Sequence, residues 1–196
     1  MSNVIIGLDA GHGGQNLGTR HYGIKEELYT LEIAKMLRPM LLDLSLLCHL
    51  SRETDETVSF TERAKRLHQA DFVLVLHVNA APQAPLACDL RTYILPGNQI
   101  AYSAAHEMER VAPKLVAPKT ADPVKVAPVP ELVRPYNTLV HYRDKAAVLV
   151  EMFFATHEPS ARWAQTPAGK AALCAALAAG CIDAWQYLYD PPPAGA

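Results

Sequence analysis

His12, Glu26, His77 and Glu151 are the side chains in this sequence whose types and settings could do chemistry together. A catalytic metal centre takes three protein ligands from His, Glu, Asp or Cys and keeps one position open for water. His12 stands in Gly11-His12-Gly13-Gly14, where glycines let the backbone turn tightly and leave room beside the ring. Glu26 opens a helical pattern. His77 follows the apolar run Phe72–Leu76, and Glu151 follows Ala147–Val150. A carboxylate in that position is costly without a partner, and one next to a metal can serve as general acid and base. Each residue also has an ordinary reading. His12 could be structural, Glu26 could complement the helix dipole, His77 could be a satisfied core histidine, and Glu151 could pair with an arginine. Glu27 is the rival to Glu26. The combination is the stronger signal, because chance would have to bring all of them to one edge of one sheet.

The elements that must position these residues are legible in the apolar pattern. Val4–Leu8 reads as a buried strand ending at the glycine-rich turn. From Glu26 to about Leu42, Leu28, Leu31, Ile33, Ala34, Leu37 and Leu41 recur at helical spacing, with Pro39 expected to kink or end the helix. Leu46–Leu50 reads as a strand. Ser59 and Glu62 have the form of a capping box that opens a helix over Phe60–Gln69. Phe72–Leu76 and Arg91–Leu95 read as strands, and Ile100 to about Leu115 as a helix. The prolines from Pro113 to Pro135 are expected to break any regular element there, and a loop of that length is usually functional or mobile. Ala147–Val150 is the last strong strand. Thr166-Pro167 caps and starts an alanine-rich helix that runs to about Tyr189. Residues 1–190 thus predict one α/β domain, a mostly parallel, mixed and twisted sheet with helices on both faces, followed by a disordered tail at 191–196. In such sheets ligands bind at the carboxyl ends of the strands, and His12, His77 and Glu151 fall at or just past the ends of apolar runs.

Composition narrows the function classes. The 196 residues carry a formal net charge of -2, which argues against a nucleic-acid footprint or a polybasic membrane patch. No uninterrupted apolar run reaches the roughly 18–20 residues of a membrane span. Met1–Asp9 has no positive leader and no cleavage site, so it is expected not to be a signal peptide, and synthesis is expected in the cytoplasm. Cys48, Cys88, Cys174 and Cys181 show no metal or redox spacing and read as reduced, buried small side chains. His21, His49, His68, His106 and His157 read as packed or solvent-facing, and Trp163 and Trp185 as core or interface. A monomer is expected.

These segments, in order, resemble the zinc-dependent N-acetylmuramoyl-L-alanine amidases of the amidase-3 family. Asp9-Ala10-Gly11-His12-Gly13-Gly14 is similar to that family's opening motif, and Gly23-Ile24-Lys25-Glu26 to its second ligand segment. Leu50-Ser51-Arg52-Glu53-Thr54-Asp55 with Val58-Ser59 and Glu62-Arg63 resembles its central signature. Leu76-His77-Val78-Asn79-Ala80 and Val148-Leu149-Val150-Glu151 resemble the third ligand segment and the catalytic strand. The resemblance implies that His12, Glu26 and His77 bind Zn2+ and that Glu151 is the catalytic carboxylate. It implies a peptidoglycan substrate, cut between N-acetylmuramic acid and the L-alanine of the stem peptide. A phage or prophage endolysin acting on the cell wall after release fits best. A zinc peptidase cutting within the stem, or a non-catalytic wall-binding module, is the alternative. The family's spacing selects Glu26 over Glu27, and Asp9 is the candidate to orient His12. Arg52 and Arg63 read as structural ion-pair partners rather than substrate clamps, and His141 as a cleft or surface residue rather than a ligand. Met152-Phe153-Phe154 stands where the family often has smaller residues. The segment Pro113–Pro135 is expected to line the stem-peptide side of the cleft.

Overall fold

The apolar runs and the elements between them take up a mixed α/β arrangement in the computed structural model, which describes residues 4–84, 86–117, 124–126 and 136–190. In chain order the elements are β1 (Ile5–Ala10), β2 (Arg20–His21), β3 (Ile24–Lys25), α1 (Glu26–Asp43), β4 (Leu47–Leu50), α2 (Phe60–Arg66), β5 (Phe72–Asn79), β6 (Arg91–Ile94), α3 (Gln99–Val111), β7 (Val124–Val126), α4 (Tyr136–Leu139), β8 (Ala146–Phe154), α5 (Glu158–Ala164) and α6 (Pro167–Tyr189), with a 3-10 turn at Val140–Tyr142. Six strands form one sheet in the order β4-β1-β5-β8-β6-β7. β4, β1, β5 and β8 run parallel. β6 lies antiparallel to β8, which makes the sheet mixed. β2 and β3 form a separate small hairpin.

The central strands are largely apolar, with Asp9, His77, Asn79 and Glu151 toward their carboxyl ends, because both faces are covered. On one face Ile6, Leu8, Leu74, Leu76, Val148 and Val150 pack with α1, α3 and α6 through Leu37, Leu41, Met108, Leu173 and Leu177. On the other face Val73, Val75, Ala147 and Leu149 pack under Leu67, Leu139 and Tyr142. α6 has 23 residues, and its most apolar 18-residue stretch has a mean hydropathy of 1.3, long and apolar enough by composition to cross a membrane. Here it is a core helix: its Leu173, Cys174, Leu177 and Cys181 are fully buried in the main core. All four cysteines are buried and free, as expected for small core side chains.

Several boundaries differ from the sequence reading. α1 passes through Pro39 and ends at Asp43. Pro39 and Lys35, whose carbonyl loses its helical donor there, are both exposed, while Leu37 and Leu41 anchor the other face. α3 stops at Val111, because Ala112 precedes a proline and is extended (ψ 136). β7 contradicts the expectation that Pro113–Pro135 holds no regular element. It is an edge strand of three residues, the place in a sheet where neighbouring prolines are tolerated. The rest of that segment, residues 118–123 and 127–135, and the tail 191–196 lie outside the described residues. The Ser59 hydroxyl accepts from Glu62 N–H at 3.2 Å, but the Glu62 carboxylate turns to Arg66 instead of back to the cap. α5 was not foreseen; the His157 ring caps it by accepting from Ser160 N–H.

Candidate metal centre

The turn after β1 carries His12 into a left-handed backbone conformation, φ 60, which costs about a kcal/mol or more for a residue with a Cβ. Two buried arginines hold it there. Arg63 donates to the Ala10 carbonyl at 2.6 Å and to the His12 carbonyl, and Arg52 donates to the Ala10 and Gly11 carbonyls at 3.0 and 3.1 Å. Arg52 also donates to the carbonyl of Glu27 at 2.5 Å, which joins the turn to the start of α1. Arg63 pairs with Asp9 at 2.7 Å, the ion pair foreseen for it. Arg52 departs from the expectation, since its recorded acceptors are carbonyls and a hydroxyl.

Glu26 is the first residue of α1 and is buried. Its carboxylate is aimed by two backbone donors, Thr19 N–H to Oε2 at 2.7 Å and Val78 N–H to Oε1 at 2.8 Å. Oε1 then lies 3.2 Å from His12 Nε2 and 3.0 Å from His77 Nδ1. The two imidazoles meet edge to face with centroids 4.9 Å apart, and the three candidate ligand atoms all lie within 4.8 Å of one another. Tetrahedral bonds of zinc to nitrogen and oxygen put ligand atoms about 3.3 Å apart, so the residues present fit a bound zinc ion. The backbone leaves space for the cluster. A Cβ on Gly11 would come within 2.7 Å of the His77 ring, and one on Gly18 within 2.4 Å of Glu26 Oε2. Burial pushes the Glu26 carboxyl up, but the hydrogen bonds and charges of His12 and His77 outweigh it and hold the group well below the usual carboxylate range. Burial likewise disfavours charge on His77, and the Glu26 carboxylate overcomes it, so its pKa is raised.

Glu151 stands beside the cluster, paired in register with His77 across β5 and β8. Its Oε2 is buried and has no hydrogen-bond partner among the described residues. Burial pushes its carboxyl up to about 7, with the charge of His77 opposing and that of Glu26 reinforcing. Arg91 is its register partner on the other side, yet that guanidinium is engaged by Asp89 at 3.1 Å and by the Phe154 ring at 4.8 Å. His12, Glu26, His77 and Glu151 all line one cavity of about 710 Å³. His77 and Glu151 sit within their strands rather than past them, because β5 runs on to Asn79 and β8 to Phe154.

Three sequence readings resolve here. Glu27 lies outside the cluster, its carboxylate paired with Arg20. Asp9 does not orient His12; it accepts from Arg63 and from the Tyr142 hydroxyl, each at 2.7 Å. Asn16, which the sequence reading passed over, takes that role through Oδ1 at 2.9 Å from His12 Nδ1. Its signal was available: it sits four residues on, in the same turn, bridged backbone to backbone with Gly13. His141 is exposed and stacks on Phe60 with centroids 5.4 Å apart.

The fold and the cluster define an α/β protein with a His–Glu–His candidate metal centre at the carboxyl edge of its parallel strands. The chain belongs to the Amidase_3 family, described as N-acetylmuramoyl-L-alanine amidase, with residues 6–183 matched. It is 39 % identical over 100 residues to the N-acetylmuramoyl-L-alanine amidase CwlM of Bacillus licheniformis, across 48 % of this chain and 37 % of that protein. It is 33 % identical over 81 residues to the endolysin of Bacillus phage SPP1, across 40 % of this chain and 30 % of that protein. The matches thus span about a third of the length of these curated relatives. The crystal structure of an N-acetylmuramoyl-L-alanine amidase from Clostridium difficile 630 has the same fold, with a TM-score of 0.80 at 21 % identity over 97 % of this chain and 99 % of that one.

Proposed function

We propose that this protein hydrolyses the amide between N-acetylmuramic acid and the L-alanine of the peptidoglycan stem peptide. His12, Glu26 and His77 hold a zinc ion in this reading, and Glu151 is the catalytic carboxylate. The observation that carries it is the convergence of three ligand atoms within 4.8 Å beside a buried carboxylate oxygen with no partner among the described residues. Membership of the Amidase_3 family supports the choice of bond.

Zinc supplies Lewis-acid activation of water and of the scissile carbonyl. The protein's own groups supply the rest. The Glu151 carboxylate accepts a proton from the attacking water at the unpartnered Oε2 and delivers it to the nitrogen of the departing alanine. In the metal-free protein burial pushes the Glu151 carboxyl up to about 7, the direction that makes it a better proton acceptor. The Thr19 and Val78 amides keep Glu26 directed at both imidazoles, and Asn16 fixes the His12 ring, so the ligand set is organised in advance.

Digestion of purified peptidoglycan with mass spectrometry of the products tests this. Free stem peptides beginning at L-alanine, lost on chelation, are expected. Fragments cut within the stem would assign a peptidase instead, and binding without cleavage a wall-binding module. We further propose a lysin made in the cytoplasm and active on the cell wall, a reading supported by the likeness to a phage endolysin. Induction inside cells together with a pore-forming partner is expected to clear the culture, and survival of the cells counts against it.

A further inference from the structure

The cavity that holds the metal cluster has a second wall that the proposed mechanism does not use. It is built by Thr57, Val58, Phe60, Asn137, Thr138 and Leu149. These side chains are uncharged. Among the described residues, the charged groups of the cavity outside the ligand cluster and Glu151 are Asp9 and Arg63, and these neutralise each other at 2.7 Å.

Phe60 is the unusual member. It begins α2 and remains 39 % exposed, although it is a large apolar ring beside a candidate active site. Packing does not explain that exposure. His141, from the 3-10 turn after α4, stacks against one side of the ring at an interplanar angle of 27°. The stack covers one side of the ring, and Phe60 also lines the cavity. Asn137 lines the same cavity, and its side-chain amide makes no hydrogen bond among the described residues. A rigid aromatic surface, an available amide and no net charge are together what a pyranose with an N-acetyl group requires. Its C–H face stacks on a ring, and its hydroxyl and acetamido groups pair with an amide. An anionic stem peptide would want unpaired cations, and the charge on this wall is already compensated.

We propose that the Phe60–His141 stack with Asn137 is the subsite for the N-acetylhexosamine ring of a muramoyl peptide. The assignment rests on the amidase reading for the identity of the substrate but makes a separate claim about which wall takes the sugar. The cavity, at about 710 Å³, is large enough to hold a sugar ring together with the scissile amide.

The test uses the zinc-loaded protein in two ways. The first compares N-acetylmuramoyl-L-alanyl-D-isoglutamine with D-lactoyl-L-alanyl-D-isoglutamine, which keeps the scissile amide and lacks the sugar. Phe60→Ala is expected to shrink the preference in kcat/KM for the sugar-bearing substrate about tenfold, mainly through KM, and His141→Ala to shrink it less. The second titrates peptide-free glycan, and separately the free stem peptide, into the protein labelled for NMR. Glycan is expected to shift the Asn137 side-chain amide and the His141 ring, and to lose that effect in Phe60→Ala with the rest of the spectrum unchanged. Stem peptide moving those signals instead, or an unchanged substrate preference in folded Phe60→Ala, overturns the assignment. Glycan shifts at this wall in a protein that hydrolyses neither substrate would uphold the subsite while removing the amidase reading.

Discussion

His77 and Glu151 are register partners on adjacent parallel strands, so one pleat presents a candidate metal ligand and a buried carboxylate to the same cavity. Cross-strand neighbours on one face of a sheet lie about 5 Å apart. That spacing is close enough for each to feel the other's charge, and no ion pair joins the two among the described residues. The sheet holds the carboxylate where one of its oxygens finds no partner among the described residues.

The first prediction follows from that cost. The Glu151 carboxyl titrates near 7 in the folded protein against a reference of 4.5. Its contribution to stability is complete below 4.5 and is lost as pH rises through 7, because the unfolded chain ionises more easily. Glu151→Gln cannot ionise. In metal-free protein it should match the wild type at pH 4 and exceed it by about 3 kcal/mol at pH 8. Chemical denaturation at the two pH values checks this; parallel curves for the two proteins would falsify the claim. The same variant should lower kcat at least about 100-fold with zinc bound.

Zinc should stabilise the fold with the logarithm of its free concentration above the dissociation constant. At about 100 times the dissociation constant the gain is about 2.7 kcal/mol, visible as a rise in Tm that chelation reverses. Glu26→Gln should weaken zinc binding by at least about tenfold. Glu27→Gln should leave the metal stoichiometry at one per chain, since its carboxylate faces Arg20. Equal loss of zinc in both variants, measured by competition with a chromophoric chelator, would reopen the choice of ligand.

Asn16→Ala removes the partner of His12 Nδ1 without touching the cluster itself. A weakening of zinc affinity by about 10–100-fold is expected, with little change in the stability of the metal-free protein. An unaltered affinity would mean that the grip of Arg52 and Arg63 on the turn is sufficient.

Arg63→Met strips Asp9 of its buried counter-charge and releases the carbonyls of Ala10 and His12. Breaking one side of such a pair costs about 3–5 kcal/mol. Adding Asp9→Asn should recover part of that loss while zinc affinity stays low, because the carbonyl grip is still missing. Recovery of both together would make Arg63 a partner of Asp9 alone.

The sequence by itself determined the main strands of the sheet, the layer architecture and which residues are candidates for the site. Apolar runs with no polar face mark strands covered on both sides, and the ends of such runs marked His77 and Glu151. The glycines around His12 declared a turn that needs room. Local pattern could not decide which groups would face one another. Asp9 and Asn16 are equally plausible partners for His12 along the chain. Only the fold sends Asp9 toward Arg63 and Tyr142, 54 and 133 residues away, and leaves Asn16 to the histidine. Glu26 and Glu27 are adjacent in sequence, and the tertiary structure separates them, one toward two imidazoles and the other toward Arg20. The raised pKa of Glu151 is likewise decided by the tertiary structure, because desolvation depends on what every neighbouring element covers. Periodicity records which way a side chain points; the company it meets there depends on contacts distant in sequence.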